Sequence, residues 1–324
     1  MKTAKITADI ESLNPSYYHL RMASPEKKRL LVVFSSRGAK PGEFSFFKTF
    51  EIYKCNVLHI TPPDFSWYHT GLVGFGNDPK EAFIKLSKII DEFCIINNIE
   101  EIVLIGSSMG GYGALLYSTL TKHSMSVRVL SFGVETILKL PNSKSEEGEF
   151  IPLDEFKDIR GFDFSHVDVN IIYGEFDLID SYCALCMKGK PGVNLISHIF
   201  SGHNVPETVS SSIAIVEFFT QIIEDSLYFY GRGHMSSALN SRDISPLISG
   251  AQFNDEYITS LEIALKKYPT FGFGLNRLGV YYHNKDMLKE AYKLIQKSIL
   301  INPKYPNSLQ HLKTIEEKLA NQLT

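Results

Sequence analysis

Between residues 29 and 225, six short apolar runs alternate with segments of helical periodicity, and this alternation leaves few folds open. The runs are LLVVF (30–34), NVLHI (56–60), EIVLI (101–105), VRVLSF (127–132), VNIIY (169–173) and the stretch 193–200. The first is continuously apolar, the pattern of a strand buried on both faces. Between the second and third runs, Asp78-Pro79-Lys80-Glu81 reads as an N-cap, a proline at the first helical position and a capping acid. Phe83, Leu86, Ile90, Phe93 and Ile96 then recur at helical spacing and predict one buried face. A second helix is predicted over 110–121. A third is predicted over 206–225, with Val209, Ile213, Val216, Phe219 and Ile223 on one side. Strand alternating with helix implies an α/β chain whose mostly parallel sheet is covered by helices on both faces. The first thirty residues, with Tyr17, Tyr18, His19 and Leu20, are read as one or two antiparallel edge strands.

Directly after the third run comes GSSMG at 106–110, and directly after that a helix. A GxSxG between strand and helix is what a nucleophile elbow requires. The serine sits in a sharp turn, and side chains two residues to either side would collide, so both positions are glycine. Ser108 is the candidate nucleophile. Gly111, Gly113 and Ala114 keep the start of the helix slim. The amide of Met109, at a helix N-terminus, is placed to donate to a developing oxyanion. The second donor is expected in the loop after the first long strand, at the amide of Ser36 or of Arg37.

A serine hydroxyl needs a base, and the base needs an orienting acid. The chain order expected is serine, acid, histidine. After the fifth run comes GEFDLID (174–180), which offers Asp177 and, as its competitor, Asp180. Asp177 is preferred on loop position, because Asp180 reads as an N-cap of the following helix. Glu175 ranks below both. After the sixth run comes SGHNVP (201–206), where Gly-His just past the last strand makes His203 the expected base. His59 and His198 lie within strands and read as core or edge residues, and the other histidines have no comparable context.

Three further features bear on the substrate. Arg37 is either a contact for an anionic substrate or a solvated loop cation. The loop DFSWYHTG (64–71) either stacks Trp67 and Tyr68 against a sugar ring or packs them inward. The stretch 136–166 holds Lys144, Glu146, Glu147 and Glu149, which is too charged for a large lipase lid. Cys183 and Cys186 form a CxxC without a second pair at ligand spacing, so two thiols on a helix face are expected and no metal.

The stretch YGRGHMSS (230–237) reads as part of a linker, 229–250, after a catalytic domain at 1–228. From 251 to 324 a small all-α region follows. Leu275, Leu278, Gly279, Tyr282, Ala291, Ile295, Ser298 and Pro303 fall on a tetratricopeptide-like pattern. Tyr257, Leu261, Ala264 and Pro269 match it partly one 34-residue period earlier. Gly279 and Ala291 are expected to let paired helices approach closely, and 306–322 to cap the array.

The elbow around Ser108, GEFD with Asp177 and SGHNV with His203 resemble the α/β-hydrolase superfamily over residues 25–225. The resemblance implies an eight-stranded-type sheet, reduced here, and acyl-enzyme chemistry. A fainter similarity, of the short-lidded hydrolase plus helical tail, is to bacterial enzymes that add or remove O-acetyl groups on capsular or surface glycans. It implies a small acyl donor, a carbohydrate acceptor, and acetyl-CoA as co-substrate in the transferase case, with no bound cofactor. The rival of another class is an inactive scaffold that acts through protein contacts of the helical tail. The net charge of −3, with 44% hydrophobic and 21% charged residues, suits a globular chain and gives no reason to expect nucleic acid. No apolar run reaches membrane-spanning length and the first residues do not read as a signal peptide, so a cytoplasmic protein is expected.

Overall fold

The computed structural model describes residues 13–23, 28–53, 55–224 and 231–322. Seven strands form one sheet: β1 (Tyr18–Arg21), β2 (Arg29–Phe34), β3 (Asn56–Ile60), β4 (Glu101–Ser107), β5 (Ser126–Phe132), β6 (Asp168–Gly174) and β7 (Val193–His198). Their spatial order is β1-β3-β2-β4-β5-β6-β7. Only β1 runs antiparallel, with Tyr18 opposite Ile60 and Arg21 opposite Val57. All the other pairings are parallel. The chain is therefore an α/β-hydrolase-type fold with a single antiparallel edge.

The continuous apolar runs are explained by the two cores they serve. In β2, Leu30, Val32 and Phe34 enter one core, and Leu31 and Val33 enter the other. The first core is covered by α2 (Pro79–Ile96), through Phe83, Leu86, Ile90 and Phe93, and by α3 (Met109–Leu120). The second takes Phe50 of α1 (Phe47–Ile52), Val209 of α5 (Val205–Ser210) and Phe218, Phe219, Ile222 and Ile223 of α6 (Ile215–Glu224). The single helix expected over 206–225 is thus two. The hydroxyls of Ser210 and Ser211 bond back to the carbonyls of Glu207 and Thr208, which ends α5 in the serine run. Asp225 lies outside the described residues.

Residues 231–250 are packed structure rather than an exposed tether. Gly231 and Gly233 run beside β7, with Ile199 N–H on Gly231 O at 2.9 Å and Gly233 N–H on Ser197 O at 2.8 Å. A Cβ at Gly233 would sit 2.0 Å from Glu175 Oε1, so the glycine serves close approach and not flexibility. Short α7 (Met235–Ala238) and α8 (Ser241–Ser249) follow, and Met235, Leu239, Ile244 and Leu247 join the main core. Residues 229 and 230 are outside the described residues. The chain ends in α9 (Asp255–Lys267), α10 (Gly272–Asn284), α11 (Leu288–Ile301) and α12 (Pro306–Asn321). A Cβ at Gly279 would meet Ile295 Cδ1 at 2.8 Å, so α10 and α11 do approach closely there. Tyr257, Leu261, Phe271 and Leu278 belong to the same core as the sheet.

Candidate active site

The end of β4 turns into α3 through Ser108, whose φ of 54° and ψ of −121° few non-glycine residues adopt. The two flanking glycines are demanded by contact. A Cβ at Gly106 would lie 2.2 Å from the carbonyl carbon of Gly110. One at Gly110 would lie 2.2 Å from Phe34 O, at the tip of β2. Ser108 N–H donates to Phe132 O at 2.8 Å, which fixes the elbow against the end of β5. Met109 opens α3, so its amide is one of the first-turn donors without an acceptor inside the helix.

His203 lies in the loop after β7, and its Nδ1 is 2.9 Å from Asp180 Oδ2. The acid that meets the histidine is therefore Asp180, not the preferred Asp177. The roles read from the sequence are exchanged. Asp177 is the N-cap of α4 (Leu178–Cys186), and its Oδ1 accepts the Asp180 amide at 2.9 Å. Asp180 sits in the first turn, and its buried carboxylate faces inward. Gly133, at φ 52°, gives it room: a Cβ there would be 3.0 Å from Asp180 Oδ2 and 3.2 Å from His203 Nδ1. Gly133 follows Phe132, so the imidazole–carboxylate pair and Ser108 both border the end of β5. Among the described residues no hydrogen bond joins Ser108 Oγ to His203. In unliganded sites that bond is often long and tightens in the complex.

The electrostatics favour a charged imidazole. Burial alone would lower His203, but the Asp180 carboxylate outweighs it, with Asp177 and Glu135 adding, and the pKa is pushed up to about 9. Burial raises Asp180, Asp177 adds to this, and His203 opposes. Asp177, Asp180 and His203 each present one ligand-type atom within 4.8 Å of the others. Cys183 and Cys186 lie on α4 as free thiols.

The alternatives left open for Ser36, Arg37, Trp67 and Tyr68 are narrowed by their contacts. The Ser36 amide is already donated to Ser45 Oγ at 2.9 Å. The Arg37 amide has no hydrogen-bond acceptor among the described residues. The Arg37 guanidinium does not stand free for an anionic substrate. It bonds Lys144 O at 2.9 Å and Glu147 at 3.0 Å, tying the β2 loop to the β5–β6 insertion. Trp67 is 1% exposed and stands edge-on to Tyr112, while Tyr68 donates from deep burial to Ser35 O at 2.9 Å. They pack the loop down. Phe65, half exposed, is the aromatic on the open side.

Two structural groups escaped the sequence reading. Glu135 is fully buried after β5, and its carboxylate accepts the amides of Lys144 and Ser145, which anchors the insertion. Its only sequence signal is an acid directly after an apolar run. His69 accepts the Leu153 amide on Nδ1 at 2.9 Å, and its Nε2–H faces Tyr112 Oη at 3.0 Å. Tyr112 donates in turn to Phe156 O. Burial holds His69 down to about 4, so the ring stays neutral and the strap 150–156 stays tied to the elbow helix. Between this strap and the 64–70 loop lies a cleft of about 640 Å³, lined in part by Asp64, Phe65, Asn77, Glu149 and Phe150.

The strand order, the elbow and the Asp180–His203 pair define an α/β-hydrolase fold. No family model matches the sequence, and no curated protein matches it either. Among solved structures, the chain is similar to the capsule O-acetyltransferase of Neisseria meningitidis serogroup A, at 20% identity over 66% of this chain and 93% of that one, TM-score 0.42. It is also similar to a lipase-esterase related protein from Clostridium acetobutylicum (13% identity, 64% and 99% covered, TM-score 0.43). A third is the Bacillus cereus carboxylesterase (14% identity, 70% and 100% covered, TM-score 0.40). No helix among the described residues is long and apolar enough to cross a membrane.

Proposed function

We propose that this protein transfers acyl groups through a covalent intermediate on Ser108, with His203 as base and Asp180 as its orienting acid. The observation that carries the reading is the strained elbow of Ser108 beside the end of β5, where the His203–Asp180 pair also lies. His203 takes the Ser108 proton as Oγ attacks the acyl carbonyl. The amides of Met109 and Arg37 receive the developing oxyanion. His203 then protonates the leaving group, and the acyl-Ser108 ester passes to a second nucleophile that His203 deprotonates. Asp180 fixes the imidazole tautomer and stabilises its cation.

The acyl group is small and its acceptor polar and hydroxylated, a surface carbohydrate being the class that fits. The cleft between the 64–70 loop and the 150–156 strap supports this, because it pairs half-exposed Phe65 with Asp64, Asn77 and Glu149, whose polar groups suit sugar hydroxyls. Acetyl-CoA is the donor when the acceptor is a sugar, and an acetylated glycan is the substrate when the acceptor is water. Labelling with a fluorophosphonate probe tests the nucleophile: it should be complete in the wild type and absent in Ser108→Ala. No labelling of the folded wild type would overturn the reading. Incubation with acetyl-CoA, with and without a glycan, then separates transfer to the sugar from release of acetate.

A further inference from the structure

The loops that carry the acid and the base are sewn to each other and to the C-terminal helices. Glu175 N–H bonds His198 O at 3.1 Å and Phe176 N–H bonds Ser201 O at 2.9 Å, joining the acid loop to the base loop. A Cβ at Gly174 would fall 2.1 Å from Gly202 O, so the two loops lie backbone to backbone. The helices grip both. Phe273 N–H donates to Glu175 O at 3.3 Å, and Tyr268 OH donates to Glu175 Oε1 at 3.0 Å. Glu175 is fully buried, and Oε1 also receives the Ser197 hydroxyl at 2.7 Å. The Phe176 ring lies 4.6 Å from the Tyr305 ring, and a Cβ at Gly272 would be 2.2 Å from it. On the base loop, Asn302 Nδ2 donates to Phe200 O at 2.5 Å, three residues before His203.

We infer that the C-terminal helices set the geometry of the acid–base pair, with Tyr268 and Asn302 as positioning residues for Asp180 and His203. The inference rests on the acyl-transfer reading of the same site. Neither residue touches the pair. Each acts through a backbone segment that leads into it, Tyr268 through 175–177 and Asn302 through 200–203. Surface loops move unless tied, and a misplacement of about 1 Å in an active site costs on the order of 100-fold in rate. The tail is thereby part of the site's support, whatever else it contacts.

The test uses the full chain with Tyr268→Phe, Asn302→Ala and Asn302→Asp. The last keeps the shape of the side chain but cannot donate to Phe200 O. Three readouts are needed: kcat and KM on p-nitrophenyl acetate, thermal unfolding, and the titration of His203 followed by NMR of histidine-labelled protein. The expected result is a kcat lower by about 10- to 100-fold with KM within about twofold. Asn302→Asp should be as impaired as Asn302→Ala. The His203 titration should move toward that of a free imidazole, as Asp180 holds it less well. Wild-type kcat and wild-type His203 titration in all three variants overturn the inference. So does a kcat loss that vanishes on cooling in step with recovered folding. If the wild type cleaves no ester, the acyl-transfer reading fails by itself, and the His203 titration still decides whether the helices hold the pair.

Discussion

Replacing Asp180 by Asn should cost turnover, whereas replacing Asp177 by Ala should cost mainly stability. Asp180 accepts the Nδ1–H of His203 at 2.9 Å from a fully buried position. Against a burial effect that would lower it, this pairing lifts His203 from 6.5 to about 9. At about 1.4 kcal/mol per pH unit, the net shift, to which Asp180 is the largest favourable contributor, is about 3 kcal/mol, or roughly two orders of magnitude in rate. The Asn amide also presents a donor to Nδ1 and selects the wrong tautomer, which extends the loss to about 10⁴ in kcat. Asp177→Ala removes the cap on the Asp180 amide, worth about 1 kcal/mol, and should lower Tm by about 2–4 °C. Asp177→Asn keeps the cap and should be near wild type. The assay is steady-state hydrolysis of p-nitrophenyl acetate beside thermal unfolding of the same preparations. Asp180→Asn within tenfold of wild type, or Asp177→Asn as crippled as Asp180→Asn, would refute the assignment of the acid.

Three further outcomes are expected. His203 must be neutral to accept the Ser108 proton, so its raised pKa makes kcat/KM climb with pH up to about 9, and Asp180→Asn should move that limb down; a flat profile from 6 to 9 contradicts this. Burial raises Glu175 to about 7, with the Ser197 and Tyr268 hydroxyls opposing. Its proton is held more tightly folded than unfolded, so its contribution is fully present below about 4.5, is lost as pH rises to about 7 and is constant above. Urea unfolding should show about 3 kcal/mol of that slope disappearing in Glu175→Gln, and equal slopes would refute it. Gly110→Ala places a Cβ 2.2 Å from Phe34 O, and a far-UV melt should show it destabilised by several °C or not folded; a wild-type melt would contradict the close approach.

The features legible in the sequence are those that local chemistry dictates. Strand runs such as LLVVF are apolar on both faces because both are buried, and Ser108 is flanked by glycine because nothing larger fits. His203 follows from its place after the last strand. The acid was not legible, since Asp177 and Asp180 are three residues apart and only the start of α4 decides which one caps. That Ser45 engages the Ser36 amide depends on a contact across a loop, which spacing does not encode. Residues 231–233 mislead for another reason. Glycine signals freedom in isolation, yet here Gly233 makes room for the carboxylate of Glu175. Trp67 and Tyr68 could by composition either stack on a sugar or pack inward, and the tertiary contacts that bury both lie outside what spacing encodes.

The grip of the last helices on the acid and base loops has a consequence in time. A ribosome releases Ser108, then Asp180, then His203, and only afterwards Tyr268 and Asn302. A nascent chain already holding every reacting group therefore still lacks the contacts that fix two of them. On the reading proposed above, the incomplete polypeptide carries the reacting groups but not their alignment, so competence comes only with the last helices.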